Sequence, residues 1–160
     1  MDQADSDVVI EDRDGDGVLE IQMHGGTFGS VGAGLQRQET LIFDWEGGAY
    51  RQVQRIPEPS DHPYYLMLDA STALAEDDYD TALDLALQAV ENPNFEDSMA
   101  PVEEIDRARI ISYAAIEAMV VYGERDDVAA MEDVLEQART QAPVAPNVYL
   151  EAAQELLDVY

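Results

Sequence analysis

The sequence predicts an α+β chain, a small antiparallel β meander followed by stacked helical hairpins. Three observations predict it. The chain changes character at Ile56-Pro57-Glu58-Pro59-Ser60-Asp61. Before that point lie most of the glycines and short runs rich in β-branched and aromatic residues. After it come long alanine-, leucine- and acid-rich stretches whose apolar residues recur every three or four positions. The chain therefore reads as a β module at 1–56, a proline linker at 57–62 and an α-helical module at 63–160.

Asp7–Ile10 reads as a first short strand and Leu19–His24 as a second. Gly25-Gly26-Thr27-Phe28-Gly29-Ser30-Val31-Gly32-Ala33-Gly34 reads as a loop, lacking the G-x-G-x-x-G spacing of a dinucleotide site. Gln38–Trp45 and Ala49–Ile56 read as two more strands joined at Glu46-Gly47-Gly48. Four strands make a sheet that needs something packed against it.

Asp61 and Pro63 offer cap and first-turn residues for a helix over 63–75. Tyr79, Ala82, Leu83, Ala86, Leu87 and Val90 form one helical stripe. Ile111, Ala114, Ala115, Ala118, Met119 and Tyr122 form the next, within a helix at 103–122. That helix has a second apolar line, Ile110, Tyr113 and Ile116, which predicts burial on two sides. Val128, Met131, Leu135 and Ala138 mark a fourth helix, and Tyr149, Ala152, Ala153, Leu156, Leu157 and Tyr160 a fifth at 147–160. The tyrosines on or near these stripes, Tyr64, Tyr65, Tyr79, Tyr113, Tyr122, Tyr149 and Tyr160, are expected in the core.

The 160 residues hold 35 acids and 8 basic residues, all arginine, for a net charge of −27. Residues 1–62 carry 13 acids and 4 arginines, and residues 63–160 carry 22 and 4. So acidic a chain is a poor nucleic-acid binder, because phosphate contacts need clustered positive charge. The absence of lysine removes the Walker phosphate loop and Schiff-base chemistry, and the absence of cysteine removes disulfides, thiol nucleophiles and thiolate metal sites. The start, Met-Asp-Gln-Ala-Asp-Ser-Asp, has neither the basic end nor the apolar run of a signal peptide, and no stretch of about 18 apolar residues is present to span a bilayer. The lack of lysine among so many acids resembles proteins of salt-loving organisms, and an ordinary acidic extracellular protein fits equally. The two histidines, His24 and His62, read as surface residues without a serine or cysteine partner.

The sharpest local signal is Asp12-Arg13-Asp14-Gly15-Asp16-Gly17-Val18-Leu19-Glu20. Carboxylates at positions 1, 3 and 5 of a loop converge when a glycine at position 6 turns the chain, and hard oxygen ligands of this kind suit calcium. The Val18 carbonyl and Glu20 complete a candidate metal-ligand set of Asp12, Asp14, Asp16, Val18 and Glu20. An EF-hand would place a bidentate glutamate at position 12, where Met23 stands, and would flank the loop with helices rather than with Val8-Val9-Ile10 and Ile21-Gln22-Met23. The expectation is a Ca2+ loop between strands.

Asp-x-Asp-x-Asp-Gly-x-x-acid followed by an apolar strand resembles the calcium-binding blade of FG-GAP repeats, the β-propeller repeats of integrin α-subunits and many bacterial surface proteins. The resemblance covers about residues 5–56, and Phe43-Asp44-Trp45-Glu46-Gly47-Gly48-Ala49-Tyr50 is similar to the outer hairpin of such a blade. Glu20 stands where the family has aspartate, and Gly25-Gly26-Thr27 where Gly-Ala-Pro is typical. One blade cannot close a propeller, so the resemblance implies the C-terminal end of a longer architecture, or a relic of one. Asp77-Asp78-Tyr79-Asp80-Thr81-Ala82-Leu83 through Pro93, and Gly123 through Pro143, look like second helices of tetratricopeptide repeats. Their closing prolines stand 50 residues apart rather than the usual 34, and a generic helical bundle carries the same functional meaning.

The function expected is non-enzymatic: a calcium-binding interaction or scaffold module of a prokaryotic secreted or surface-attached protein. Its partner would be a protein or peptide on the helical surface, with no nucleic acid and no membrane span. The alternative location is the cytoplasm of a halophile. The alternative function is a small hydrolase or accessory subunit using carboxylates in a cleft between the two modules. A pair of carboxyls in one walled pocket would favour the enzyme.

Overall fold

The computed structural model describes residues 7–26, 37–91, 93–95 and 103–160. The chain divides into two compact units, Met1–Pro59 and Ser60–Tyr160. A four-stranded antiparallel sheet is followed by five helices, the α+β class that the sequence predicts.

In the first unit β1 (Asp7–Glu11), β2 (Glu20–Gly26), β3 (Gln38–Glu46) and β4 (Ala49–Pro57) lie side by side in chain order. Gly25 and Gly26, read as the start of a loop, extend β2 instead; the rest of that expected loop lies outside the described residues. The β3–β4 turn places Gly47 at φ 62° and Gly48 at φ 93°, a pair of left-handed residues that matches the twist of the flanking strands. Ile42 faces Gln54 and Phe43 faces Gln52, so Val53 bulges out of register.

The register sorts the side chains onto two unlike faces. One carries Val8 and Ile10 from β1, Ile21 and Met23 from β2, Glu39, Leu41, Phe43 and Trp45 from β3, and Tyr50, Gln52 and Arg55 from β4. On it Trp45 and Tyr50 meet edge to face at 5.2 Å, and Arg55 Nε donates to Glu39 Oε2. The other carries Asp7, Val9 and Glu11, then Glu20, Gln22 and His24, then Thr40, Ile42, Asp44 and Glu46, and Arg51, Gln54 and Ile56. His24 Nδ1 lies 3.1 Å from Thr40 Oγ1 and its Nε2 3.5 Å from Glu58.

The second unit holds α1 (Pro63–Ala75), α2 (Tyr79–Glu91), α3 (Glu104–Glu124), α4 (Val128–Gln141) and α5 (Val148–Leu157). Each helix packs on the next, and α3 also touches α1 and α5. The core is alanine-rich, with Ala70, Ala86, Ala89, Ala114, Ala115 and Ala118 letting helices approach closely around Val90, Met119, Met131 and Leu135.

Within the expected linker at 57–62, residues 58–62 lie outside any strand or helix. Pro57 ends β4, and Glu58 N–H donates to Gln38 O. His62 is the N-cap of α1, its Nδ1 accepting from Tyr64 N–H. His62 is buried at 4% exposure against Tyr65 and Phe95, which corrects the surface reading. Pro63 at the first helical position makes the preceding residue the cap, so Asp61 stands one place too early.

The tyrosine expectation holds in part, since Tyr122 and Tyr79 pack half-buried against the core. Tyr113 and Tyr160 are exposed, and Tyr64, Tyr65, Tyr79, Tyr122 and Tyr149 are half-buried. Alanines take the closest places of the helical core, and these rings lie at its edges, Tyr65 with its hydroxyl buried. Ala152 is exposed as well, while Ala153 takes the buried place on α5.

Two corners of the helical unit are the same structure built twice. Asp77 (φ 60°) and Asp126 (φ 56°) each take a left-handed conformation just after a helix. Asp78 N–H donates to Ala73 O and Asp127 N–H to Tyr122 O, both at 2.9 Å. Asp78 and Asp127 then cap the following helix, their side chains accepting from Thr81 and Ala130 N–H.

Candidate metal centre

The loop between β1 and β2 begins at Asp12 and runs into Glu20, the first residue of β2 and the one paired with Glu11 across the hairpin. Gly15 (φ 81°) and Gly17 (φ 91°) turn it through the left-handed region, where any side chain would be strained even though a Cβ at either position would have open space within 4 Å. Asp12 braces the turn, its Oδ1 accepting from Gly15 N–H at 2.8 Å and its Oδ2 from Gly17 N–H at 3.0 Å. Asp14 accepts from Asp16 N–H, and Asp16 from Val18 N–H at 2.7 Å. Glu20 Oε2 accepts from Arg13 N–H at 2.6 Å.

These bonds bring the carboxylates to one place. One oxygen from each of Asp12, Asp14, Asp16 and Glu20 lies within 4.8 Å of all the others. The three aspartates are exposed and Glu20 is buried at 6% exposure, so the cluster has an open side and a floor. The Arg13 guanidinium reaches Gln54 at 3.4 Å. Four of the five residues expected from the sequence thus converge through their side chains. Val18 sits half-buried within the loop, held by the bond to Asp16, and would contribute through its backbone.

An all-oxygen set of this size suits a hard divalent cation, with calcium accommodating the irregular geometry better than magnesium. Strands flank the loop, and Met23 lies within β2 on the opposite face from Glu20, so the EF-hand arrangement is absent here.

Sequence reasoning missed a second charged group. Glu117 of α3 is 4% exposed, receives a hydrogen bond from Ser71 of α1, and its Oε2 has no hydrogen-bond partner among the described residues. Burial raises its carboxyl from 4.5 to about 7, against a smaller lowering by Ser71. The shift comes from desolvation, not from a second carboxylate. The signal was its position inside the apolar run Ala114-Ala115-Ile116-Glu117-Ala118-Met119-Val120-Val121. A third polar group, Asn147, caps α5 through its Oδ1 and donates from Nδ2 to Ser112 Oγ of α3 at 2.8 Å.

Comparison of the chain with protein-family models, with curated proteins and with solved structures gives no match in any of the three. Among the described residues, no helix is long and apolar enough to cross a membrane.

Proposed function

We propose that the 12–20 loop holds Ca2+ and that the chain is a non-enzymatic, calcium-stabilised interaction or scaffold module of a prokaryotic secreted or surface protein. The helical unit would supply the surface for a protein or peptide partner. The observation that carries the reading is the convergence of Asp12, Asp14, Asp16 and Glu20 within 4.8 Å, in a loop that two left-handed glycines turn. Four carboxylates so close repel one another, and a divalent ion removes that repulsion. The resemblance of the loop to an FG-GAP blade supports calcium in particular, and the extracytoplasmic location rests on the same resemblance.

An ion that binds only the folded chain stabilises it by RT ln(1 + [L]/Kd). Surface modules hold calcium at about 10⁻⁴–10⁻³ M, so a few millimolar should add about 1–2 kcal/mol to the unfolding free energy. Calorimetry in chelated buffer should show a calcium heat, and magnesium should give less. Asp14→Asn should weaken the binding while leaving the helical circular dichroism unchanged. Asp80→Asn, at the exposed start of α2, should titrate like the parent. No calcium heat, or both variants matching the parent, refutes the metal site.

A further inference from the structure

The sheet unit has almost no interior of its own. Ile42 is its one apolar residue in the buried set among the described residues, and neither apolar cluster of those residues includes a strand residue. Globular units are built from at least two packed layers, because a sheet must bury a face. Among the described residues this sheet has one layer, with Val8, Ile10, Met23, Trp45 and Tyr50 standing 40–58% exposed on a single face.

That face is also electrically unlike the rest of the chain. It carries one acid, Glu39, matched by Arg55 on the same face, for a net charge of zero. The opposite face carries Asp7, Glu11, Glu20, Asp44 and Glu46 against Arg51. In a chain of net charge −27, a neutral apolar face is the surface on which a second copy can approach without meeting its own charge. An isologous contact sets each patch against itself, so it tolerates a neutral patch and rejects a charged one.

The size fits as well. Strands of 5, 7, 9 and 9 residues, about 4.8 Å apart and rising about 3.4 Å per residue, span about 500 Å² in plan. Two copies then cover about 1,000 Å² before side-chain relief is counted, which reaches the size a specific interface needs.

We propose that the Val8–Ile10–Met23–Leu41–Phe43–Trp45–Tyr50 face is a homodimer interface, two copies of this chain packing sheet on sheet. The proposal is independent of whether the loop holds calcium. Because the remaining charge of each copy repels the other, association should strengthen with monovalent salt.

Trp45 is the chain's one tryptophan and lies on this face, so its fluorescence reports directly on cover. The test is the full chain in about 1 M salt, diluted from about 100 μM to about 1 μM. Sedimentation should show a dimer giving way to monomer, with Trp45 emission moving to longer wavelength and acrylamide quenching rising in step. Lowering the salt should move the midpoint to higher protein concentration. Met23→Glu puts a charge in the centre of the face and should give a monomer at every concentration. Gln22→Glu, on the opposite face, should dimerise like the parent. Helical circular dichroism identifies any variant that unfolds more widely, and the parent's own dilution curve needs no variant. A parent that stays monomeric at the highest concentration overturns the proposal, whether Trp45 is then bare or shielded within one chain. A dimer that Met23→Glu leaves intact, with Trp45 equally quenched in both, overturns the choice of face.

Discussion

Glu117→Gln should abolish a distinct part of the pH dependence of stability. The carboxyl titrates at about 7 in the folded chain against 4.5 for the exposed group. Below about pH 4.5 it is protonated in both states and contributes no pH dependence. Between those values the unfolded chain gives up the proton while the folded chain keeps it, so stability falls as pH rises. Above about pH 7 both states are ionised and the loss is complete. The difference, 7 − 4.5 = 2.5, at about 1.4 kcal/mol each, makes that loss about 3 kcal/mol. Glutamine keeps the acceptor for Ser71 and cannot ionise, though its amide adds a constant cost at the position of the unpartnered Oε2. That constant cancels when each protein is compared with itself. Urea unfolding of parent and variant at pH 4.5 and 8.5, in salt high enough to screen the surface carboxylates, should show the parent losing about 3 kcal/mol more than the variant across the interval. Parallel curves would refute the reasoning and mean that Glu117 is hydrated or paired as an anion.

Two further outcomes follow from charge and packing. With −27 on 160 residues, self-repulsion opposes the compact state, so Tm should rise as monovalent salt goes from tens of millimolar to about molar, and a flat or falling trend in scanning calorimetry would contradict this. Ala118 is fully buried on α3, so Ala118→Leu should cost about 1–3 kcal/mol by overpacking, whereas the same change at exposed Ala152 should cost little; equal losses in denaturant melts would contradict the packing described.

The helices were legible because a 3.6-residue period survives any exchange among alanine, leucine and valine. The stripe Ile111–Tyr122 maps onto the most enclosed helix, whereas in its second apolar line Ile110 and Ile116 are half-buried and Tyr113 is exposed. The strands and their order were legible from alternation and from Glu46-Gly47-Gly48. The four carboxylates could be placed together because loop spacing and glycine fix local geometry without help from the rest of the chain. What could not be read depends on neighbours distant in sequence. Glu117 stands out in sequence only as an acid within an apolar run, and its place beside Ser71, 46 residues earlier, depends on the packing. Asn147 looks like a simple cap until its amide reaches Ser112. The neutrality of one sheet face depends on register, since Glu39 and Arg55 share it only because Leu41 pairs with Arg55.

The repeated corners have a kinetic meaning. Each is closed by backbone bonds spanning five residues, Ala73 to Asp78 and Tyr122 to Asp127, so either hairpin can form without waiting for a distant segment. Packing then proceeds mainly between consecutive helices, with α3 as the shared member. Local closure of this kind favours fast folding. The α5 end, held by its own packing and the Asn147 bonds to α3, is the place where opening can begin while α1 and α2 remain closed.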